Sequence, residues 1–333
     1  MSGGRITEVD DSFHPPVDDD PYWTETCFFC FDQPDRDLSL VVYPLFRPNQ
    51  GVCSLAVHLW DASGIAPWEI RYSRFLWHLP MPTTDLTRLR LEGLRLTAVQ
   101  PLRRYHLEYV DGDRLRLDLE CDALREPVGS TTQMRGGAAG GHYDQALRVR
   151  GEVVLGGDRI AVDTFGHRDR SWYHRPDNRP RPSASVSFGA AWNGDHFLAV
   201  RPGALLGMTA PTRPPSGYLV LNGRAQALID VARRVTSRIG GRPDKLELEL
   251  ADDAGRTLRL HGTARNCLAF HTSPPVFAWF SQTRWTGTGS DCTSGDCTSG
   301  DCTGGDFIGQ DQEAFGMDQI ARFIAGDPSA TPA

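Results

Sequence analysis

The residues best suited to acid–base chemistry stand together in the segment 165–175, which reads Phe-Gly-His-Arg-Asp-Arg-Ser-Trp-Tyr-His-Arg. Two histidines, one aspartate and three arginines this close together need partners if they are buried. Burial and neighbouring arginines also shift the pKa of carboxyl and imidazole groups, as happens at catalytic sites. We therefore predict a functional site here, with Asp169, His167 and His174 as candidate proton donors and acceptors.

The same segment also has a purely structural interpretation. Asp169 could form a buried ion pair with Arg168 or Arg175 and hold two halves of the protein together. On either interpretation, His167 or His174 could face a cavity. The residue types alone leave both interpretations open.

Tryptophan is the second suggestive residue type, with eight copies spread over the chain, many beside His or Arg. Most are expected to be core residues. A β-lined cavity that contains some of them would suit a large apolar ligand, and the ring faces would stabilise a cationic intermediate. The candidate substrate-binding residues are Trp172, Arg168, Arg175, Trp77, Trp192 and Trp285.

Other motifs with possible chemistry are weaker. Cys27 and Cys30 have CxxC spacing, but two residues three apart on a strand point to opposite faces, so we expect core thiols. The glycine-rich run 136–141 lacks the Lys-Ser/Thr of a phosphate loop. The chain has no Gly-x-Ser-x-Gly, Rossmann or His-Glu-x-x-His motif, so we expect neither a cofactor nor a bound metal.

The elements that position these residues are predicted to be antiparallel strands. Leucine, followed by Cys121, alternates with charged residues over 114–121, and leucine does so again over 245–250, which is the pattern of a half-buried strand. Short glycine turns such as 156–158 join such runs into hairpins. The segment 225–239 fits helix or strand, and its neighbours favour strand. A short helix is predicted near 320–324.

Two linker-like stretches, 129–141 and 176–182, interrupt this pattern. The second follows the 165–175 segment directly and predicts a domain boundary there. We predict an N-terminal β domain over 13–175 and a C-terminal β domain over 183–333. The repeat Asp-Cys-Thr-Ser-Gly within 289–305 cannot bury a core and is predicted to be a disordered loop, with no recognised metal-ligand spacing.

Composition limits the possible partners. The chain has 333 residues, a formal charge of −7 and a pI near 5.8, so it lacks the basic surface expected of a nucleic-acid-binding protein. Lys245 is the only lysine, which disfavours Schiff-base chemistry. No signal peptide and no apolar run of about 18 residues is evident, which predicts a soluble, cytoplasmic protein without a membrane span.

The segment 165–175 resembles the hydroxyneurosporene synthase, or carotenoid 1,2-hydratase-like, superfamily, whose members share a Gly-x-Arg-Asp-His-Ser-Trp-Gly-x-Arg pattern. Arg170 replaces the histidine of that pattern and Tyr173 its second glycine. Weaker similarity covers the stretch 23–51 and the strands of 217–262. The residues that match the pattern are Gly166, Arg168, Asp169, Ser171, Trp172 and Arg175.

The resemblance implies a mainly β fold of two lipocalin-like antiparallel barrel or sandwich domains packed together, with a ligand cavity. It also implies cofactor-free hydration of alkenes or cyclisation of polyenes, with carboxylic acids and tyrosines as proton sources. Our first hypothesis is such a lyase or cyclase acting on an apolar isoprenoid or polyene. The alternatives are a non-catalytic protein that binds hydrophobic ligands, and a purely structural protein.

Overall fold

A computed structural model describes residues 5–130, 140–177, 184–191, 197–201, 216–221, 223–273, 275–290 and 307–324. The fold is almost entirely β, with two short 3-10 helices, Glu8–Asp11 and Pro48–Gln50, and one α-helix, α1 (Met317–Ile324). The strands are β1 (Trp23–Gln33), β2 (Leu38–Arg47), β3 (Val52–Trp60), β4 (Tyr72–Pro80), β5 (Arg88–Leu91), β6 (Leu94–Gln100), β7 (Arg104–Asp111), β8 (Leu115–Ala123), β9 (Val128–Ser130), β10 (Gly141–Leu155), β11 (Asp158–His174), β12 (Ala184–Ala191), β13 (Phe197–Arg201), β14 (Ser216–Leu221), β15 (Arg224–Ile239), β16 (Arg242–Asp252), β17 (Thr257–Ala264), β18 (Leu268–Ser273), β19 (Val276–Ser290) and β20 (Phe307–Gly316).

The predicted alternation decides which face of a strand is buried. In β8 each leucine is buried and each intervening charged residue is exposed, as the sequence predicts. The turn between β10 and β11 is formed by Gly156 and Gly157, whose φ values of 56° and 97° disfavour residues with a side chain. The helix predicted near 320–324 is confirmed as α1, and the segment 225–239 is confirmed as part of β15.

The chain forms two compact units. Unit 1 comprises residues 1–33, 39–59 and 71–176. It is built on one antiparallel sheet in the order β4-β3-β2-β1-β11-β10-β8-β7-β6-β5, with β9 added to β10. The long strands β1, β10 and β11 lie together near its middle, so the segment 165–175 is flanked by strands on both sides.

Unit 2 comprises residues 34–38, 60–70 and 177–333. Eight of its strands close into a ring, because β17 pairs with both β16 and β19 in the order β17-β16-β15-β14-β13-β12-β20-β19. The core of this unit is apolar and includes Leu248, Leu260, Trp285 and Phe307, all at most 2% exposed. The predicted mainly β, lipocalin-like fold with a short C-terminal helix is confirmed.

Gly262 in unit 2 is a position where a methyl group does not fit. It lies opposite Trp285 on the paired strand, and a Cβ atom there would approach two carbons of the indole ring at 2.5 and 2.6 Å. We expect Gly262→Ala to lower the free energy of unfolding by about 1–3 kcal/mol through overpacking. Urea denaturation measures this, with Thr263→Ala at the exposed neighbouring position as the control. Equal stability of the two variants would contradict the tight contact with Trp285.

Two sequence features lie outside the described residues, namely most of the repeat in 289–305 and most of the glycine-rich stretch in 129–141. Within the part of the chain that the structure describes, no helix has the length and apolar character needed to cross a membrane.

Candidate functional site

Strand β11 divides the predicted segment between two faces of the unit 1 sheet. Directly opposite residues in antiparallel strands share a face, and Val149 of β10 lies opposite the core residue Cys121 of β8. Gln145 shares that face by alternation and pairs with Arg168. The even-numbered residues of 166–172 therefore face the hydrophobic core of unit 1, which we call the core face. The odd-numbered residues lie on the other side, the opposite face.

On the core face, Arg168 is enclosed by a network with Asp11, Tyr105 and Tyr143. Its Nη2 donates hydrogen bonds to Oδ1 of Asp11 and to the Tyr143 hydroxyl, both at 2.8 Å, and its Nη1 donates to the Tyr105 hydroxyl. The Arg168 and Asp11 side chains are each only 2% exposed. The expected pair between Arg168 and Asp169 is therefore wrong: adjacent strand residues point to opposite faces, and the partner of Arg168 is Asp11.

This network controls the ionisation of Asp11. Burial acts to raise its pKa, but the charge of Arg168 and hydrogen bonds from Tyr105, Tyr143 and Arg168 outweigh burial and lower the pKa to about 2. The carboxylate is thus ionised at neutral pH. Both tyrosines have a raised pKa, chiefly because of burial, and stay protonated as donors.

Acid should weaken unit 1 through Asp11. The carboxyl binds a proton more tightly in the unfolded chain, near its ordinary pKa of 3.8, than in the folded protein, where the pKa is about 2. Its stabilising contribution of about 2 kcal/mol is complete above about pH 4 and is lost as the pH falls towards about 2. Urea unfolding across this range measures the loss. Asp11→Asn should lose less stability over the same range than the wild type, and an identical pH dependence would contradict this assignment.

Arg170 and Trp172 extend the core-face network towards the N-terminal segment. Arg170 donates to Oε2 of Glu25 at 2.8 Å and to the carbonyl oxygens of Thr26 and Ser12 at 2.9 and 2.7 Å. The ring of Trp172 stacks on His14 with a centroid distance of 3.9 Å. Arg170, which replaces the histidine of the family pattern, is fully buried and paired with Glu25.

The opposite face carries a cluster of acid–base groups. Asp144 of β10 lies between two imidazoles: its Oδ1 is 3.0 Å from Nε2 of His167, and its Oδ2 is 3.1 Å from Nε2 of His142. His167 and Asp144 are buried, whereas His142 is half-buried. A carboxylate between two imidazoles accepts a hydrogen bond from each and orients both rings.

Asp169 is half-buried on this same face, one alternation beyond His167. Its neighbour across the sheet is Phe28, whose ring meets that of Tyr43 edge to face at 5.5 Å. Asp169 also interacts electrostatically with Tyr43 and Arg175. A carboxyl group therefore stands beside two aromatic rings and one guanidinium.

Tyr43 and Arg175 complete the cluster. Arg175 donates to the Tyr43 hydroxyl at 3.3 Å and to the Ser171 hydroxyl, which in turn lies 2.6 Å from the hydroxyl of Thr26. Burial raises the pKa of Tyr43, although Arg175 opposes this effect, so the phenol is protonated at neutral pH. The opposite face thus brings together a carboxyl group, an imidazole, a phenol and aromatic ring faces, which are the groups needed for proton transfer to an apolar molecule.

The other predicted site residues are dispersed. His174 lies at the end of β11, with Nε2 3.0 Å from Oδ1 of Asp18. Trp77 is 38% exposed on the edge strand β4 and stacks on Phe75 at 4.4 Å. Trp285 is buried in the core of unit 2, and Trp192 lies outside the described residues. The substrate-binding roles of these tryptophans, of Trp172 and of Arg168 and Arg175 stay predictions.

Sequence reasoning missed Asp144, His142 and Tyr43 on the opposite face. The only available signal was the alternation of polar side chains at the start of β10, immediately after a glycine-rich stretch. It also missed Asp11 on the core face. As for metals, no group of three or more His, Cys, Asp or Glu residues in the described ranges is arranged to hold an ion.

Comparison with solved structures identifies proteins with a similar fold. A protein assigned as AttH (NE1406) from Nitrosomonas europaea is 13% identical, with 88% of this chain and 92% of that chain covered and a TM-score of 0.59. CghA with Sch210972 is 13% identical, with 89% of each chain covered and a TM-score of 0.60. Kievitone hydratase from Nectria haematococca is 10% identical, with 88% and 89% covered and a TM-score of 0.55. At these identities, the comparison establishes the fold alone.

The sequence comparisons are more specific. No curated protein matches the chain significantly. The family described as Domain of unknown function (DUF7064) matches residues 7–297, which include nearly all of unit 1 and most of unit 2. The chain therefore belongs to the DUF7064 family.

Proposed function

We propose that the protein is a cofactor-independent hydratase or cyclase that acts on an apolar isoprenoid or polyene by acid–base catalysis on the opposite face of unit 1. The observation that supports this most directly is that Asp169 and His167 project from the same face of β11, beside the rings of Phe28 and Tyr43. The presence of kievitone hydratase among proteins of this fold is consistent with the proposal.

The reaction begins with proton transfer to one carbon of an alkene, which leaves a carbocation at the other carbon. Asp169 is the proposed donor, and the ring faces of Phe28 and Tyr43 stabilise the cation. In hydration, water adds to the cation and then releases a proton. In cyclisation, a second double bond of the substrate attacks the cation and a neighbouring carbon releases a proton.

His167 is the proposed acceptor of that released proton. Its imidazole is held by Asp144 at 3.0 Å, and the carboxylate stabilises the imidazolium that forms. Transfer from His167 back to Asp169 then restores the starting protonation state. No cofactor enters this cycle, because the proton that Asp169 gives to the substrate is replaced by the one that water or a neighbouring carbon releases.

The direct test is incubation of the purified protein with geraniol-type alkenes and with linear polyenes, in water labelled with ¹⁸O and without added cofactor. Mass spectrometry separates the outcomes: a hydrated product carries the label, whereas a cyclised isomer keeps the mass of the substrate. Saturable quenching of tryptophan fluorescence without any product would support the non-catalytic ligand-binding protein instead. If neither a product nor quenching is observed, that result would count against both functions.

A further inference from the structure

The proposed catalysis does not use the hydrogen-bond network around Arg168 and Asp11 on the core face. Asp11 belongs to an N-terminal strap, residues 5–14, which precedes β1 and contributes no strand to the sheet. The strap carries one short 3-10 helix, Glu8–Asp11. Asp11 is 4% exposed, and its carboxylate reaches donors on β7, β10 and β11 and in the turn between β6 and β7.

Each carboxylate oxygen of Asp11 accepts hydrogen bonds from two donors. Oδ1 accepts from the Tyr143 hydroxyl at 2.5 Å and from Nη2 of Arg168 at 2.8 Å. Oδ2 accepts from the Tyr105 hydroxyl and from the backbone N–H of Leu102, both at 2.6 Å. Four donors, one of them charged, thus converge on two oxygen atoms, which is the geometry of a carboxylate-binding site.

The donors are held in place by contacts that do not involve Asp11. The guanidinium carbon of Arg168 lies 4.1 Å from the ring centroid of Tyr105 and 5.2 Å from that of Tyr143. Arg168 also donates to both phenol oxygens. The rings of Phe29 and Tyr105 pack edge to face at 5.6 Å. Because β1, β7, β10 and β11 supply these groups, the sheet itself preorganises the site.

We propose that Arg168, Tyr105, Tyr143 and the Leu102 N–H form a monocarboxylate-binding site for which Asp11 is an intramolecular ligand. A free monocarboxylate such as formate or acetate occupies the site when the Asp11 side chain is removed. The site prefers carboxylate to sulfate, because its donors serve two oxygens and leave the other oxygens of a tetrahedral anion without partners. This inference is independent of the chemistry proposed for the opposite face.

Thermal unfolding of full-length Asp11→Gly tests the proposal. Melts at neutral pH are compared in sodium formate, sodium acetate, sodium sulfate and sodium chloride at equal ionic strength. Formate at about ten times its Kd should raise the Tm of Asp11→Gly by roughly 2–4 °C relative to chloride, in a saturable manner. Sulfate should have no such effect. The wild type, whose site is filled by Asp11, should melt at the same temperature in formate and chloride.

The double variant Asp11→Gly, Arg168→Met supplies the matched control, since it lacks the charged donor and should not respond to formate. Equal Tm values for Asp11→Gly in formate and chloride would overturn the proposal, as would an equal formate response in the double variant. If Asp11→Gly is unfolded in chloride, formate must restore its β-sheet circular dichroism signal. Failure to restore that signal also counts against the site.

Discussion

Asp169→Asn is expected to lower kcat/KM on the alkene or polyene substrate by roughly 10²- to 10⁴-fold, the range typical of a lost general acid. Asparagine has nearly the same shape as aspartate but carries no transferable proton. Asp169 is half-buried and asparagine fills the same space, so the variant should fold normally. Steady-state kinetics together with an unchanged Tm would separate a chemical effect from unfolding.

Asp163→Asn is the matched control for this change. Asp163 stands on the same face of β11, is 61% exposed and pairs with Arg148 at the surface. Its replacement should leave kcat/KM unchanged. If Asp169→Asn is as active as the wild type, Asp169 is not the acid.

Asp11→Ala is expected to lower the free energy of unfolding by about 3–5 kcal/mol, because it leaves a buried guanidinium without its counter-ion. The change also removes the acceptor of the Tyr105 and Tyr143 hydroxyls and of the Leu102 N–H. Each buried donor without a partner adds to the cost. Urea denaturation followed by circular dichroism measures the difference, provided that the m-value is unchanged.

Glu8→Ala is the control for Asp11→Ala. Glu8 lies on the same 3-10 helix, but it is exposed, so its removal should change stability by no more than about 0.5 kcal/mol. Asp11→Asn should fall between the two, because asparagine keeps one acceptor oxygen but no charge. Similar stabilities for Asp11→Ala and Glu8→Ala would show that Arg168 does not depend on Asp11.

The strand alternation predicted from the sequence also places neighbouring residues of the 165–175 segment on different faces of β11. The same rule that predicts divergent side chains for Cys27 and Cys30, which are both buried free thiols, also separates Arg168 from Asp169. Applied to β11, it excludes an ion pair between these neighbours. It also assigns His167 and Asp169 to one face and Arg168 and Arg170 to the other.

What the sequence by itself determined is local: the alternating strands, the glycine hairpin between β10 and β11 and the concentration of ionisable groups in 165–175. These features depend on interactions between residues that are close along the chain, and backbone geometry fixes their periodicity.

Only the tertiary structure decided which partner each of these groups has. Asp11 meets Arg168 across 157 positions of sequence, and Asp144 meets His167 through the register of β10 with β11. Strand register and the path of the N-terminal strap result from packing the whole sheet, and a one-residue shift would move every side chain to the other face. The sequence therefore shows that ionisable groups are concentrated in 165–175, but the fold divides them between a buried network around Asp11 and a separate face that carries His167 and Asp169.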